Sequence, residues 1–103
     1  MGILETKINT ESEQYKSNYD HHSKLSDKLG SELKTIREMG PAKRVDKHRE
    51  RGKLTARKRI DKLKDTGTEF LEFSELAAFK VYDDYVPAAG IITGIIEVKS
   101  HLC

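Results

Sequence analysis

The sequence of 103 residues has no tryptophan, two prolines and one cysteine, Cys103. A single cysteine cannot form a disulfide within the chain, and this usage is typical of a reducing compartment. No apolar run approaches the ~20 residues of a membrane-spanning helix. The first residues lack the apolar stretch of a signal peptide, and their glutamates are unlike an acid-poor transit peptide. These absences predict a soluble protein of the cytoplasm that makes no membrane contact.

The residue patterns of common catalytic and metal sites are also missing. There is no GxxxxGK phosphate loop and no GxGxxG dinucleotide motif. The four histidines show no zinc-like spacing to a cysteine or a carboxylate. Asp83 and Asp84 are adjacent, which is more typical of a solvated loop than of two acids that converge on one substrate. We therefore expect no catalytic residue and no metal ligand in this chain.

Apolar and charged residues are unevenly distributed. Hydrophobic residues make up 36% and charged residues 35% of the chain, and the apolar ones concentrate after Glu69. The segment from Pro41 to Lys64 contains eleven lysines and arginines and three acids, which gives it a local charge of +8, while the whole chain carries +2. Such a segment predicts an anionic partner or an acidic neighbouring subunit, and a solvated helix face is the alternative.

The first forty residues predict an extended arm followed by a long helix. The arm covers residues 1–9, and Thr10 or Ser12 can cap the helix. Gly40 and Pro41 end it, because proline disfavours helix in the preceding residue. Its apolar stripe has helical period and consists of Tyr15, Tyr19, His22, Leu29, Leu33 and Ile36. A narrow stripe of this kind packs against a larger body or a partner helix, with a free coiled coil as the rival.

Residues 41–103 predict two short helices and then strands. The second helix runs from Ala42 to Arg51 and stops at Gly52, and Thr55 caps the third. In the third helix we expect Ile60 and Leu63 to face inward, and the cations Arg57, Lys58, Arg59 and Lys62 to face mostly outward.

The apolar last third predicts the beginning of a sheet. A short strand covers residues 70–73, and Ser74 caps a helical turn over residues 75–79. Residues 88–98 predict one strand, buried on both faces, followed by a turn at residues 99–101. Leu102 and Cys103 would begin a further strand too short to pair, so we expect the chain to be the opening part of a larger protein. A core made from this third alone would be only marginally stable.

The basic run is the part of the sequence with binding chemistry. Arg51, Lys53 and Arg57 are close enough to present two or three cations on a helix start and its preceding loop. Such a cluster suits the phosphates of a nucleotide, of coenzyme A or of a nucleic acid backbone. Nucleic acid is the weaker option, because acids interrupt the run and no aromatic residue is available for base stacking.

Three phrases in order resemble a known family. RGKLTARKRIDKL begins at Arg51, FLEFSELAAF at Phe70 and VPAAGIITGI at Val86. Together they are similar to the N-terminal portion of the carboxyltransferase (beta) subunits of biotin-dependent acyl-CoA carboxylases. The resemblance covers essentially the whole chain and is strongest from Arg51 to Gly94. Lys58 departs from it, since the family commonly has a glutamate there that would complete a capping box with Thr55.

The resemblance implies an α+β fold, in which N-terminal helices precede the first strands of an incomplete crotonase-like carboxyltransferase domain. Residues 1–40 would be the N-terminal arm and long helix, and residues 41–103 the start of that domain. It implies carboxyl transfer from carboxybiotin to an acyl-CoA, with 3-methylcrotonoyl-CoA the expected substrate. Biotin would be carried by a partner alpha subunit, and further beta subunits would complete the oligomer. The compartment would be the bacterial cytoplasm, or the mitochondrial matrix in a eukaryote. No family catalytic position falls in this chain, so we expect it to be inactive alone and to bind no cofactor. Arg51, Lys53 and Arg57 stay candidates for coenzyme A phosphates, and the alternative is a non-catalytic helical interaction module with a basic anion-binding segment.

Overall fold

The structure is a computed structural model that describes residues 2–103. It contains three α-helices, a short 3-10 helix and four short strands. In chain order these are α1 (Glu13–Arg37), α2 (Ala42–Glu50), α3 (Ala56–Leu63), β1 (Leu71–Phe73), the 3-10 helix (Pro87–Gly90), β2 (Thr93–Ile95), β3 (Glu97–Val98) and β4 (His101–Leu102). The chain divides into two compact units, Met1–Glu32 and Leu33–Cys103. The predicted domain division at residue 40 stays a prediction, as does the crotonase-like fold, while helices with short antiparallel strands fit the predicted α+β class.

In the first unit, residues 2–9 form no regular structure and α1 then begins at Glu13, as predicted. Ser12 caps the helix, because its Oγ accepts a hydrogen bond from the Tyr15 amide at 3.2 Å. The predicted arm includes Met1, which lies outside the described residues. Several apolar side chains of α1 remain exposed within this unit, among them Tyr19, Leu25 and Leu29.

The second unit has a very small core. Within the described residues, Ile36 and Ala88 are the buried hydrophobic residues. Thr55 is the one polar residue there that is buried as a whole, and the side chain of Glu72 is also nearly covered. The α1 helix ends at Arg37, followed by positive φ angles at Met39 and Gly40, so its predicted end near Gly40 and Pro41 is confirmed. Hydrophobic stabilisation scales with the apolar area removed from water, so a core of this size stabilises the unit only weakly.

Both short helices lie where the sequence predicts them. α2 stops at Glu50, one residue before the predicted end, and α3 follows Thr55. The Thr55 side chain accepts from the Lys58 amide at 3.4 Å, a long capping bond. The prediction that Leu63 faces inward is wrong, because Leu63 is 60% exposed at the last position of α3.

Two separate two-stranded antiparallel sheets replace the expected continuous strand. β1 pairs with β2, with Leu71 opposite Ile95 and Glu72 opposite Gly94. β3 pairs with β4 through a two-residue loop, Lys99 and Ser100, in which both φ angles are positive. The prediction that the last residues cannot pair is therefore wrong: a tight hairpin needs only two residues on each side.

The single strand predicted over residues 88–98 is also wrong. Pro87–Gly90 forms a 3-10 turn in which Ala88 and Ala89 both have positive φ, near 50°. Ile91 is 67% exposed, so this stretch is not buried on both faces. The helical turn predicted over residues 75–79, with Ser74 as its cap, is likewise wrong. Residues 75–80 form a series of tight turns, because Ser74 has a positive φ and cannot act as a helix N-cap.

Gly94, in the middle of β2, lets two backbones approach closely, as glycine in a strand often does. A Cβ atom placed on Gly94 would overlap the Leu71 carbonyl oxygen and the Phe70 ring. Since successive strand residues alternate between faces, Leu71, Phe73 and Ile95 share the more exposed face of this sheet. Glu72 lies on the covered face with Gly94.

Candidate functional site

The loop between α2 and α3 is held by hydrogen bonds to the last turn of α2. The Gly52 amide donates to the Arg49 carbonyl at 2.8 Å, and the Lys53 amide donates to the His48 carbonyl at 3.3 Å. The His48 ring Nε2 lies 3.0 Å from the Leu54 carbonyl oxygen. Gly52 adopts φ +73°, a conformation that glycine takes without steric cost. The loop that carries Arg51 and Lys53 is therefore held against the last turn of α2.

The structure treats the three predicted site residues differently. Arg51 and Lys53 are exposed on this loop. The Arg57 side chain is only 17% exposed, and its two terminal nitrogens donate to the Glu72 carboxylate at 2.5 and 2.7 Å. The prediction that Arg57 faces outward is therefore wrong.

The Arg57–Glu72 pair joins α3 to β1. Glu72 is 6% exposed, and the two parallel hydrogen bonds give the geometry in which arginine binds a carboxylate most strongly. The Arg57 Nε is buried and has no hydrogen-bond partner, which offsets part of this stabilisation. Glu72 is a site residue that was not predicted from the sequence. Its one signal is that it is the only acid inside the apolar run from Phe70 to Phe73.

A second feature of this unit is a pocket of about 290 Å³ beside Ile36. The Tyr85 hydroxyl donates to the Thr35 carbonyl, and the Ala89 amide donates to the Ala77 carbonyl at 3.0 Å. Partial burial raises the pKa of Tyr85 above its ordinary value, with a smaller contribution from Glu38. The residues that line the pocket are Thr35, Ile36, Ala77, Ala78, Phe79, Lys80, Tyr82, Asp83, Asp84, Tyr85, Val86, Pro87 and Ala88.

A further ion pair joins the end of α1 to the turn at Glu75. Arg37 Nε and Nη2 donate to the two carboxylate oxygens of Glu75 at 2.9 and 3.0 Å. This hydrogen bonding raises the pKa of Arg37, against a smaller opposing effect of burial. Because Arg37 is half exposed, the pair orients the turn at Glu75 and stabilises it only modestly.

A third tie holds the β3–β4 hairpin to the end of α3. The Asp65 carboxylate accepts hydrogen bonds from the Lys99 and Ser100 amides, both at 2.8 Å, and these bonds lower the pKa of Asp65. The Asp65 amide donates to the Glu97 carbonyl, also at 2.8 Å.

Among residues 2–103, no group of three or more histidine, cysteine, aspartate or glutamate side chains is placed to hold a metal ion. None of the helices in the described part of the chain has both the length and the apolar character needed to cross a membrane.

The chain is similar to several curated proteins along most or all of its length. It is 37% identical over 103 residues to the mitochondrial methylcrotonoyl-CoA carboxylase beta chain of Arabidopsis thaliana, covering 100% of this chain and 18% of that protein. It is 42% identical over 84 residues to the biotin-dependent 3-methylcrotonyl-coenzyme A carboxylase beta1 subunit of Mycobacterium tuberculosis, covering 82% of this chain and 16% of that protein. The Dictyostelium discoideum mitochondrial methylcrotonoyl-CoA carboxylase beta chain is 38% identical over 102 residues, 98% of this chain and 17% of that protein.

The chain thus spans less than a fifth of the length of these relatives. No protein-family profile matches it.

Proposed function

We propose that this chain, homologous along its whole length to beta chains of biotin-dependent acyl-CoA carboxylases, forms part of a subunit that transfers a carboxyl group from carboxybiotin to an acyl-CoA. The observation that carries the proposal is the identity of 37–42% to relatives named as methylcrotonoyl-CoA carboxylases. The substrate we propose is accordingly 3-methylcrotonoyl-CoA.

The fold proposed for the complete subunit is crotonase-like, with this chain contributing its N-terminal helices and first strands. The apolar face of the β1–β2 sheet supports this. Leu71, Phe73 and Ile95 are 59%, 45% and 37% exposed on one face, an arrangement that further structure would cover.

The biotin of the proposed reaction belongs to an alpha subunit, and further beta subunits complete the oligomer. The compartment is the bacterial cytoplasm, or the mitochondrial matrix in a eukaryote. Carboxyl transfer requires groups that stabilise an enolate on the acyl-CoA. The described residues offer binding and packing contacts but no such constellation, so we propose that the chain is inactive alone and binds no cofactor itself. Turnover by the purified chain with an acyl-CoA and a carboxybiotin donor would contradict this.

For coenzyme A phosphates, the exposure of Arg51 and Lys53 supports a direct role, whereas the pairing of Arg57 with Glu72 supports a positioning role. The test is made in a complete carboxylase that carries this segment. Neutralising Arg51 and Lys53 should raise the KM for acyl-CoA and leave kcat nearly unchanged. An unchanged KM would leave these two residues a contact role between subunits.

A chimaera tests the proposed function directly. The 84 residues of the Mycobacterium tuberculosis beta1 subunit that align with this chain are replaced by the matching residues of this chain. We expect the chimaera to assemble with its alpha subunit and to carboxylate 3-methylcrotonoyl-CoA. The parent enzyme and a version that lacks the segment are the controls. A chimaera that assembles normally but carboxylates no acyl-CoA would contradict the proposal.

The second candidate is a non-catalytic interaction module. The exposed Tyr19, Leu25 and Leu29 of α1 favour it, because a partner helix could cover them. It predicts that the isolated chain melts in one sharp, cooperative transition as a monomer or a dimer. A broad transition or none would favour the carboxylase subunit instead.

A further inference from the structure

An open groove lies between the end of α2 and the start of α3. Its volume is about 330 Å³, at the lower end of the roughly 300–1,000 Å³ of small-molecule sites. Three of the residues that line it are cationic, and one has an apolar side chain. Its residues are Arg49, Gly52, Lys53, Leu54, Thr55 and Lys58. The groove therefore shares only Lys53 with the three site residues predicted from the sequence.

The walls of the groove are held in place without a ligand. The hydrogen bonds at Gly52, Lys53 and His48 described above fix the backbone of its loop, and the Thr55 cap fixes the start of α3. A site whose backbone is already ordered loses less conformational entropy when it binds. The groove is consequently better prepared for a ligand than a set of lysines on a mobile loop.

Few acidic side chains pair with the cations that line the groove. Arg49 pairs with Asp46 at 3.9 Å, but both side chains are more than half exposed, so water and salt screen the pair. In the part of the chain that the structure describes, no ion pair engages Lys53 or Lys58. Two further acids lie close in sequence and are exposed: Glu50 at the end of α2, and Asp61 in α3, three residues after Lys58.

We propose that this groove binds a phosphate group of a small organic ligand such as a nucleotide. The guanidinium of Arg49 can bind two phosphate oxygens at once, and Lys53 and Lys58 supply two further point charges. The positive end of the α3 dipole lies at the groove and favours an anion, while the negative end of α2 opposes it. Leu54, 37% exposed, offers an apolar contact for the organic part of the ligand.

This proposal deepens the proposed function, because coenzyme A is one source of such a phosphate, but the groove does not depend on it. The test measures binding to the full chain by isothermal titration calorimetry at low salt. The probes are inorganic pyrophosphate, ATP and adenosine 3′,5′-bisphosphate. Preference for adenosine 3′,5′-bisphosphate indicates a coenzyme A source, and equal binding of all three indicates a general phosphate site.

Two triple variants of equal charge make the test specific. The groove variant is Arg49→Gln, Lys53→Gln and Lys58→Gln, and its control, elsewhere on the same segment, is Lys43→Gln, Lys47→Gln and Lys62→Gln. We expect Kd to rise at least about tenfold for the groove variant and less than about twofold for the control. Equal weakening in both, or no binding of any probe to the unmodified chain at about 10 mM, would overturn the proposal.

Folding is checked for each variant by circular dichroism. If the groove variant does not fold, the single variants Lys53→Gln and Lys58→Gln replace it, and each should weaken binding by about threefold or more. Single variants with unchanged Kd would equally overturn the proposal. Failure here leaves the activity of the chimaera unaffected, so the two proposals fail separately.

Discussion

Replacing Arg57 with methionine removes the cation from a carboxylate that is 6% exposed. Breaking one side of a buried ion pair costs about 3–5 kcal/mol, because the remaining charge stays buried without its partner. Here the cost falls at the lower end, since the variant also removes the unpaired Nε of Arg57, and such a group costs about 1–3 kcal/mol. We therefore expect Arg57→Met to lower the free energy of unfolding by about 3 kcal/mol.

The double variant Arg57→Met with Glu72→Leu supplies the matched comparison. It replaces both charges with apolar groups, so no buried charge is left, and we expect it to lie within about 1.5 kcal/mol of the unmodified chain. Arg57→Lys keeps the charge but loses one of two parallel hydrogen bonds, and should cost about 1–2 kcal/mol.

Urea unfolding followed by circular dichroism measures all three variants and the Glu72→Leu single variant. Equal slopes against urea concentration allow the midpoints to be compared directly. The reasoning is refuted if Arg57→Met costs less than about 1 kcal/mol, or if the two single costs simply add in the double variant. Either result would mean that the pair is solvated and that Arg57 is available for a ligand.

Three other predictions concern the strands and turns of the second unit. Because its hydrogen bonds lower the pKa of Asp65 from 3.8, the tie to the hairpin holds above that pH and is lost as the pH falls through the lowered value. Amide NMR shifts of the two turn residues should follow this titration, and Asp65→Asn should abolish it. Ala89→Gly should raise the free energy of unfolding, measured by thermal melting, by about 0.5–1 kcal/mol, because an exposed alanine at φ 51° is strained. Ala88→Gly relieves similar strain but also loses a buried methyl group, so its gain in stability should be smaller. Gly94→Ala should lower the free energy of unfolding by about 1–3 kcal/mol and remove the hydrogen-exchange protection of the β1–β2 pair. Unchanged protection would show that the two strands can move apart to admit the methyl group and still keep their hydrogen bonds.

Features set by neighbouring residues could be predicted from the sequence. The helix starts after Ser12 and Thr55 depend on a side chain and an amide three residues apart, and both are present. The β1 strand and the turn at residues 99 and 100 are equally local. In each case the competing conformations are few, so residue type alone is sufficient.

Features that join distant residues could not be predicted. Arg57 looks like one more solvated cation until β1 places Glu72 beside it, 15 residues away in sequence. The apolar run from Ala88 resembles a buried strand, but the backbone turns at Ala88 and Ala89, where alanine gives no sign of a positive φ. The groove was missed in part because Arg49 is assigned by sequence to the end of one helix and Lys58 to the start of the next.

The Asp65 tie has a consequence for the order of folding. The β3–β4 hairpin closes through two residues and can form within microseconds, whereas the bonds from Asp65 to Lys99 and Ser100 close loops of 34 and 35 residues. Loop closure of that length carries a larger entropic cost than the hairpin itself. The hairpin should therefore form first and attach to the end of α3 late, so Asp65→Asn should accelerate unfolding while leaving the refolding rate nearly unchanged.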